Sequence, residues 1–108
     1  ADHPRVPLYW QDLARSYVNL AGMRNAASRL PEAEKDCLQA LQILVKLTAH
    51  FPRVPAFRQE QADCHRRLGR VLERTGRLKD GETTYRLAVN MHRAVESELA
   101  SPLNRGVT

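Results

Sequence analysis

The largest group of residues able to do chemistry is a run of basic side chains over residues 65–79. Six of them are Arg or Lys, and Glu73 is the one acidic residue among them. Because a guanidinium group offers two parallel donors to a carboxylate or a phosphate, this run predicts recognition of an acidic peptide or, less well, of nucleic acid. Intrahelical ion pairs of Asp63 with Arg67 and of Glu73 with Arg77 would offset part of the charge. A merely solvated face is therefore the alternative interpretation.

Cysteine and histidine form the second group, with Cys64 and His65 adjacent and Cys37, His50 and His92 elsewhere. Adjacent side chains on a helix point about 100° apart, and none of these residues has the spacing of a zinc site. We interpret both cysteines as core thiols and expect no metal and no cofactor. The sequence also contains none of the nucleophile, HExxH or glycine-rich phosphate motifs, so we expect no catalytic residues and no enzyme activity.

The chain repeats itself at an offset of 48 residues. Residues 4–7 read Pro-Arg-Val-Pro, and residues 52–55 read the same. The alignment continues without a gap, and its further identical pairs are Gln11/Gln59, Ala14/Ala62, Leu20/Leu68, Arg29/Arg77, Leu30/Leu78, Glu34/Glu82 and Ala40/Ala88. A spacing of this size is typical of repeat architectures.

Each copy has the pattern of two helices separated by a short break. Proline opens each copy, and apolar residues recur at three and four positions rather than at alternate ones. The predicted helices cover residues 8–27, 31–50, 56–75 and 78–100. The apolar stripe of the last one is Tyr85, Ala88, Met91, Val95 and Leu99. The predicted fold is all-α: two long helical hairpins that stack as an α-solenoid, with no strand.

Several residues resemble the tetratricopeptide repeat. Leu20-Ala21 and Leu68-Gly69 stand where that family has its Leu-Gly pair, Tyr17 and His65 occupy its aromatic position, and residues 76–78 resemble the turn between its helices. The usual unit has 34 residues. The longer unit here resembles the long-helix type of kinesin light chain and of bacterial signalling proteins. The sequence of residues 12–22 and 29–55 is similar to repeat tails of planctomycete serine/threonine protein kinases.

The sequence departs from the family pattern at two positions. Ser28 replaces the turn glycine of the first copy, and Gly81 stands inside the second helix of the second copy, where the family has alanine. Glycine within a helix costs about 0.5–1 kcal/mol relative to alanine.

The resemblance implies an α-α superhelix whose concave groove is lined by the first helix of each unit. It also implies a non-enzymatic protein–protein interaction module that binds a peptide or an acidic segment. The candidate groove residues are Arg15, Asn19, Asn25, Arg66, Arg70 and Arg74.

The repeat boundaries divide the chain into four segments. We expect residues 1–6 to be the tail of a preceding repeat, residues 7–54 and 55–102 to be two tetratricopeptide-like repeats, and residues 103–108 to be a C-terminal tail. The chain is then a piece of a larger bacterial signalling protein, and any kinase domain would lie outside it.

A structural self-association module is the main alternative function. Tyr9, Trp10 and Leu13 lie near the start of the first helix, where a missing upstream repeat would leave apolar surface bare. Two repeats are fewer than the three or so that such arrays usually need. We therefore expect the isolated fragment to form a homodimer or an oligomer with swapped helices.

Composition limits the remaining classes. The net charge is +5, with 43 % hydrophobic and 27 % charged residues, which is ordinary for a folded domain. No apolar run reaches the roughly 18 residues of a membrane span, and two cysteines without a CxxC pair favour a cytoplasmic protein. A basic nucleic-acid-binding helical domain is the third hypothesis, which the absence of aromatic residues among the basic ones disfavours.

Overall fold

The computed structural model describes residues 7–100 as four helices. They are α1 (Pro7–Ala26), α2 (Leu30–His50), α3 (Pro55–Arg74) and α4 (Leu78–Ala100). The predicted all-α fold is confirmed, each helix begins and ends within one residue of its prediction, and the described part of the chain contains no strand. The predicted tails at 1–6 and 103–108 lie outside the described residues, as do positions 101–102 of the second repeat.

Proline and a left-handed turn residue set the ends of the helices. Pro7 and Pro55 are the first residues of α1 and α3, where a fixed φ and a missing N–H are harmless. The turn inside each hairpin contains one residue with positive φ, Ser28 at 60° and Gly76 at 88°. Glycine adopts this conformation without strain, whereas Ser28 occupies it as a non-glycine residue whose hydroxyl accepts a hydrogen bond from Arg74 at 3.0 Å.

Each helix pair is an antiparallel hairpin, and α3 joins the two hairpins by packing on both α1 and α2. As a result α1 and α3 run parallel, so residues about one repeat length apart become neighbours. Glu60 of α3 accepts hydrogen bonds from Gln11 and Arg15 of α1, and Arg74 near the other end of α3 donates to Asn25. Within residues 7–100, α4 packs against α3 alone.

The core lies where α1, α2 and α3 meet. Its fully buried members include Ala14, Ala21, Cys37, Ala40, Leu44, Leu47 and Cys64. Most of the predicted apolar stripes point into it, but Tyr85 and Leu99 remain exposed. The stripe of α4 is wider than α3 alone can cover, and no second helix of the described chain lies on that side.

Two glycines let α3 and α4 cross closely. A Cβ atom added at Gly81 would lie 2.9 Å from the carbonyl oxygen of Gly69 and 3.1 Å from the backbone nitrogen of Glu73. The corresponding residues of the first hairpin, Ala21 and Ala33, are both buried alanines. Gly81 is thus a requirement of the second hairpin's packing, which the helix-propensity cost alone did not reveal.

Candidate ligand-binding groove

A groove runs along the side on which α1 and α3 lie parallel. Its wider part has a volume of about 220 Å³, and a narrower part of about 60 Å³ continues it. Arg67 lines both parts. The buried or half-buried side chains of Ala14, Val18 and Leu44 give the wider part an apolar floor. We call this feature the α1/α3 groove.

The acidic residues of the α1/α3 groove already have basic partners. Glu60 is bound by Arg15, whose Nε lies 2.6 Å from the carboxylate, and this hydrogen bond raises the pKa of Arg15. Asp63 lies 3.5 Å from Arg66 and 3.1 Å from the ring of His92. These contacts leave the other basic residues of the groove to set its charge.

The two intrahelical ion pairs predicted for residues 63–77 do not form. Asp63 pairs with Arg66 instead of Arg67, and Arg77 pairs with Glu34 of α2 instead of Glu73. The reason is that a neighbouring helix offers Arg77 a partner across the hairpin junction, which one-helix spacing cannot anticipate. This correction increases the basic character of the groove, since it leaves Arg67 without its expected neutralising carboxylate.

Three arginines of α3 form a line along the groove, and we call Arg67, Arg70 and Arg74 the arginine stripe. Their spacing of three and four residues places them within about 60° of one another around the helix axis. Arg67 and Arg70 make no ion pair or hydrogen bond with any residue in the range 7–100, and Arg74 donates only to the neutral Asn25 and Ser28. The stripe therefore presents positive charge that the described residues do not neutralise.

Gly22 of α1 lies opposite the arginine stripe and leaves space for Arg67. A Cβ atom added at Gly22 would lie 3.1 Å from Nη1 of Arg67. The guanidinium group thus extends from α3 across the groove to the α1 backbone. Its positive charge stands at the point where the wide and narrow parts of the groove meet.

All six groove candidates predicted from the sequence lie along this side of the molecule, but their environments differ. Arg15 and Arg66 are paired with acidic residues, and Asn25 is held by Arg74. Asn19 is exposed and lines the wide part, and Arg70 lines the narrow part. Sequence reasoning missed Arg67, although its spacing from Arg70 and Arg74 already placed it on their face.

The three self-association candidates are also separated by their environments. Trp10 packs against the hydrophobic core, and its ring makes an edge-to-face contact with Tyr9 at 5.4 Å between centroids. Leu13 is half-buried. Tyr9 is exposed, so it is the member of the set that presents most apolar surface to a partner.

Both thiols belong to the core. Cys64 donates a hydrogen bond to the carbonyl oxygen of Cys37 at 3.2 Å. Burial raises the pKa of Cys37 to about 11 and that of Cys64 to about 12. A thiol with such a pKa is almost entirely protonated near neutral pH, and the thiolate is the reactive form.

We therefore expect neither cysteine to react with an aromatic disulfide reagent in the folded protein. Two thiols per chain should appear once the protein is unfolded in denaturant. A rapid release of the chromophore from the native protein would contradict the buried placement of Cys37 and Cys64.

His65 is buried, and its Nε2 atom has no hydrogen-bond partner in the described structure. Burial lowers its pKa below the ordinary value of 6.5, because the charged ring would be poorly solvated. At pH values between the lowered pKa and 6.5, His65 therefore stays neutral in the folded protein but is protonated in the unfolded chain. The stability that depends on this residue is present above pH 6.5 and is lost as the pH falls through the lowered pKa.

Replacing this histidine by an apolar residue should remove that part of the pH dependence. For His65→Leu we expect a gain of about 1 kcal/mol in the free energy of unfolding near neutral pH, since an unsatisfied buried nitrogen is lost. Below the ordinary pKa of histidine the gain should be larger. Urea denaturation of both proteins on either side of that pKa measures this, and an unchanged pH dependence in the variant would contradict it.

Residues 7–100 hold no group of three His, Cys, Asp or Glu side chains arranged to bind a metal ion. Over the same residues, the helices are too polar or too short in their apolar runs to cross a bilayer.

Comparison with known proteins gives no relative for this chain. No family model matches it, and neither the curated proteins nor the solved structures contain a match. The resemblance to the tetratricopeptide repeat therefore depends on the residues quoted above, and the function must be argued from the groove.

Proposed function

We propose that this chain is a non-enzymatic protein-binding module that holds an acidic segment of a partner protein in the α1/α3 groove. The observation that carries the proposal is the arginine stripe. Arg67 and Arg70 line the groove, Arg74 lies one turn further along α3 beside Asn25, and none of the three has an acidic partner within residues 7–100. By its resemblance to repeat tails of bacterial kinases, the module would serve a larger signalling protein.

The chemistry of the stripe suits carboxylates. Each guanidinium is planar, stays charged at any physiological pH and can donate two parallel hydrogen bonds to one carboxylate. At a helical rise of 1.5 Å per residue, the stripe extends about 10 Å, which matches about three residues of an extended peptide. An acidic segment with carboxylates at two alternate positions would therefore reach two arginines at once.

The floor of the groove adds an apolar contact. Val18 is half-buried and lines the wide part next to Arg67, whereas Leu44, Val71 and Cys37 beneath the groove are already buried. A partner segment with an apolar side chain beside its acidic residues would bury that side chain here, at about 25 cal/mol per Å² of apolar surface. The groove thus favours a mixed acidic and apolar peptide over a purely acidic one.

The same features disfavour nucleic acid as the ligand. None of the side chains that residues 7–100 contribute to either part of the α1/α3 groove is aromatic. Single-stranded nucleic acids are usually held by base stacking on aromatic rings together with charge. Phosphate contacts alone would give weak binding that a moderate salt concentration removes.

A direct titration tests the proposal. The probe is a fluorescent peptide of six residues in which Asp or Glu alternates with Leu, and its control is the same peptide with Asn and Gln in place of the acids. We expect the acidic peptide to bind with an affinity that falls as salt is added, and the amide peptide not to bind. Equal binding of both peptides, or tighter binding of a single-stranded oligonucleotide of equal charge, would refute the proposal.

A further inference from the structure

The two repeats bury their equivalent residues to different extents, and the difference marks an uncovered face. Phe57 and Val71 of α3 pack against the first hairpin and are 5 % and 1 % exposed. Their counterparts 48 residues earlier, Tyr9 and Met23, are 60 % and 69 % exposed. The face of α1 that carries Tyr9, Ser16 and Met23 therefore has the character of the packed face of α3, and we call it the α1 end face.

The other end of the molecule, at α4, also has an apolar face that no helix of residues 7–100 covers. Cys37 of α2 and Phe51, the residue that follows α2, contact α3. Cys37 does so through its carbonyl oxygen, and Phe51 through an edge-to-face contact with Phe57 at 6.0 Å. Their counterparts on α4, Tyr85 and Leu99, are 37 % and 43 % exposed. We call Tyr85, Val89 and Leu99 the α4 end face, and a shallow cleft of about 670 Å³ lies along its Tyr85 and Val89 part.

We propose that a second copy of this chain packs its α1 end face on the α4 end face of the first, repeating the packing of α3 on α2. In such a contact Tyr9 of the second copy would lie where Phe57 lies within one chain, next to Leu99 instead of Phe51. Ser16 would lie beside Tyr85, at the place of the contact between Cys64 and Cys37.

Polar groups at the two end faces complement each other. Within the chain, Arg77 pairs with Glu34 and Gln11 donates to Glu60 across the junction of the repeats. A shift of 48 residues turns the first pair into Arg29 with Glu82 and the second into Gln59 with Asp12. Both retain a donor facing a carboxylate.

Arg29 and Glu82 are free to change partners. They now make local ion pairs with Glu32 and Arg86, and all four side chains are well exposed to solvent. Surface pairs of this kind contribute little to stability, so exchanging them for a pair across an interface costs little.

Two sets of polar contacts of the internal junction are not reproduced. Arg74 donates hydrogen bonds to Asn25 and Ser28, and the shift puts Ala26, whose side chain has no donor, in the place of Arg74. The pair of Arg15 with Glu60 becomes Asp63 facing Asp12, and two carboxylates repel each other. Asp63 is bound by Arg66 and by the ring of His92 within its own chain, which reduces this repulsion. The contact between copies should accordingly be weaker than the internal junction and should appear only as the protein concentration is raised.

The proposed contact joins two different faces, so it leaves one of each free at the ends of every assembly. Association of this kind continues as an open chain instead of stopping at a dimer. It uses neither Arg67 nor Gly22, so it does not depend on the proposed peptide binding. It also differs from the closed or helix-swapped dimer expected from the sequence.

Sedimentation velocity over micromolar to millimolar protein concentrations tests the proposal. Wild-type protein should grow steadily beyond the dimer from its monomer mass of 12.3 kDa. Met23→Glu on the α1 end face and Leu99→Glu on the α4 end face should each weaken association by roughly tenfold or more, since each puts a charge into the contact. Val45→Glu on α2 is the matched control, because Val45 is an exposed apolar residue whose counterpart, Arg93, is exposed and charged.

Mixing the two face variants is the decisive step. Met23→Glu protein keeps an intact α4 end face and Leu99→Glu protein keeps an intact α1 end face, so the mixture should form a heterodimer and stop there. A wild type that stays monomeric at every concentration overturns the proposal. A closed dimer that Met23→Glu or Leu99→Glu protein still forms alone also overturns the proposal. Such a dimer would pair one face with the same face of the other copy.

Discussion

The double variant Arg67→Glu with Arg70→Glu is expected to bind the acidic peptide roughly a hundredfold more weakly or worse, because two charge-assisted contacts become repulsive. These two side chains have no ion pair to lose within residues 7–100. The substitutions should therefore leave the free energy of unfolding within about 0.5 kcal/mol of the wild type. Fluorescence anisotropy of the labelled peptide measures the affinity, and urea denaturation measures the stability.

The matched control is Lys35→Glu with Lys46→Glu, which changes the net charge by the same amount on the exposed side of α2. We expect this variant to bind the peptide about as tightly as the wild type in moderate salt, where long-range charge effects are screened. An equal loss in both double variants would mean that overall charge attracts the peptide and that the arginine stripe does not bind it.

The largest stability effect of a small substitution is expected at Gly81. A methyl group there would meet the carbonyl oxygen of Gly69 and the backbone nitrogen of Glu73, which cannot move away as a flexible side chain can. The hairpin of α3 and α4 would have to open, and Gly81→Ala should lose about 2 kcal/mol in the free energy of unfolding despite a better helix propensity. Urea or thermal denaturation followed by circular dichroism measures this.

Gly22→Ala provides the comparison, since it makes the same chemical change inside another helix. The atom that a new methyl group would approach at Gly22 is the flexible end of Arg67. We expect this variant to gain about 0.5–1 kcal/mol from helix propensity. If both variants gain stability alike, the close crossing of α3 and α4 at Gly69 and Gly81 is wrong.

The helices of this chain could be predicted from its sequence because two local signals agree. Proline at the start of a segment and a left-handed residue such as Gly76 at its end both act over a few residues, and the apolar spacing between them is helical throughout. The repeat at an offset of 48 residues also supports each predicted helix boundary, because the same boundary pattern occurs in both copies.

The partners of the charged side chains could not be predicted in the same way. Arg77 pairs with Glu34, which lies 43 residues away, and Glu60 binds Arg15 over 45 residues. Such contacts depend on how α1, α2 and α3 pack, whereas one-helix spacing considers only residues three or four positions apart. One-helix spacing therefore pairs Arg67 with Asp63, whereas in the structure Arg67 lines the groove.

The exposure of part of the α4 stripe could also not be predicted from the sequence. Tyr85 and Leu99 have the spacing of core residues, and their counterparts in the first repeat pack against α3. Sequence periodicity shows that a face is apolar but does not show whether another helix of the same chain covers it. The burial of the two copies shows this distinction, because Cys37 is buried against α3 whereas its counterpart Tyr85 is exposed.

Mapping the bound peptide on the protein tests the proposed function most directly. Backbone amide shifts of isotope-labelled protein would be followed by nuclear magnetic resonance during titration with the acidic peptide. We predict that the shifts concentrate at Gly22, Asn25, Arg67 and Arg70, on both sides of the α1/α3 groove. Shifts confined to α4, or a spectrum that the peptide leaves unchanged, would contradict the proposal that this groove is a protein-binding site.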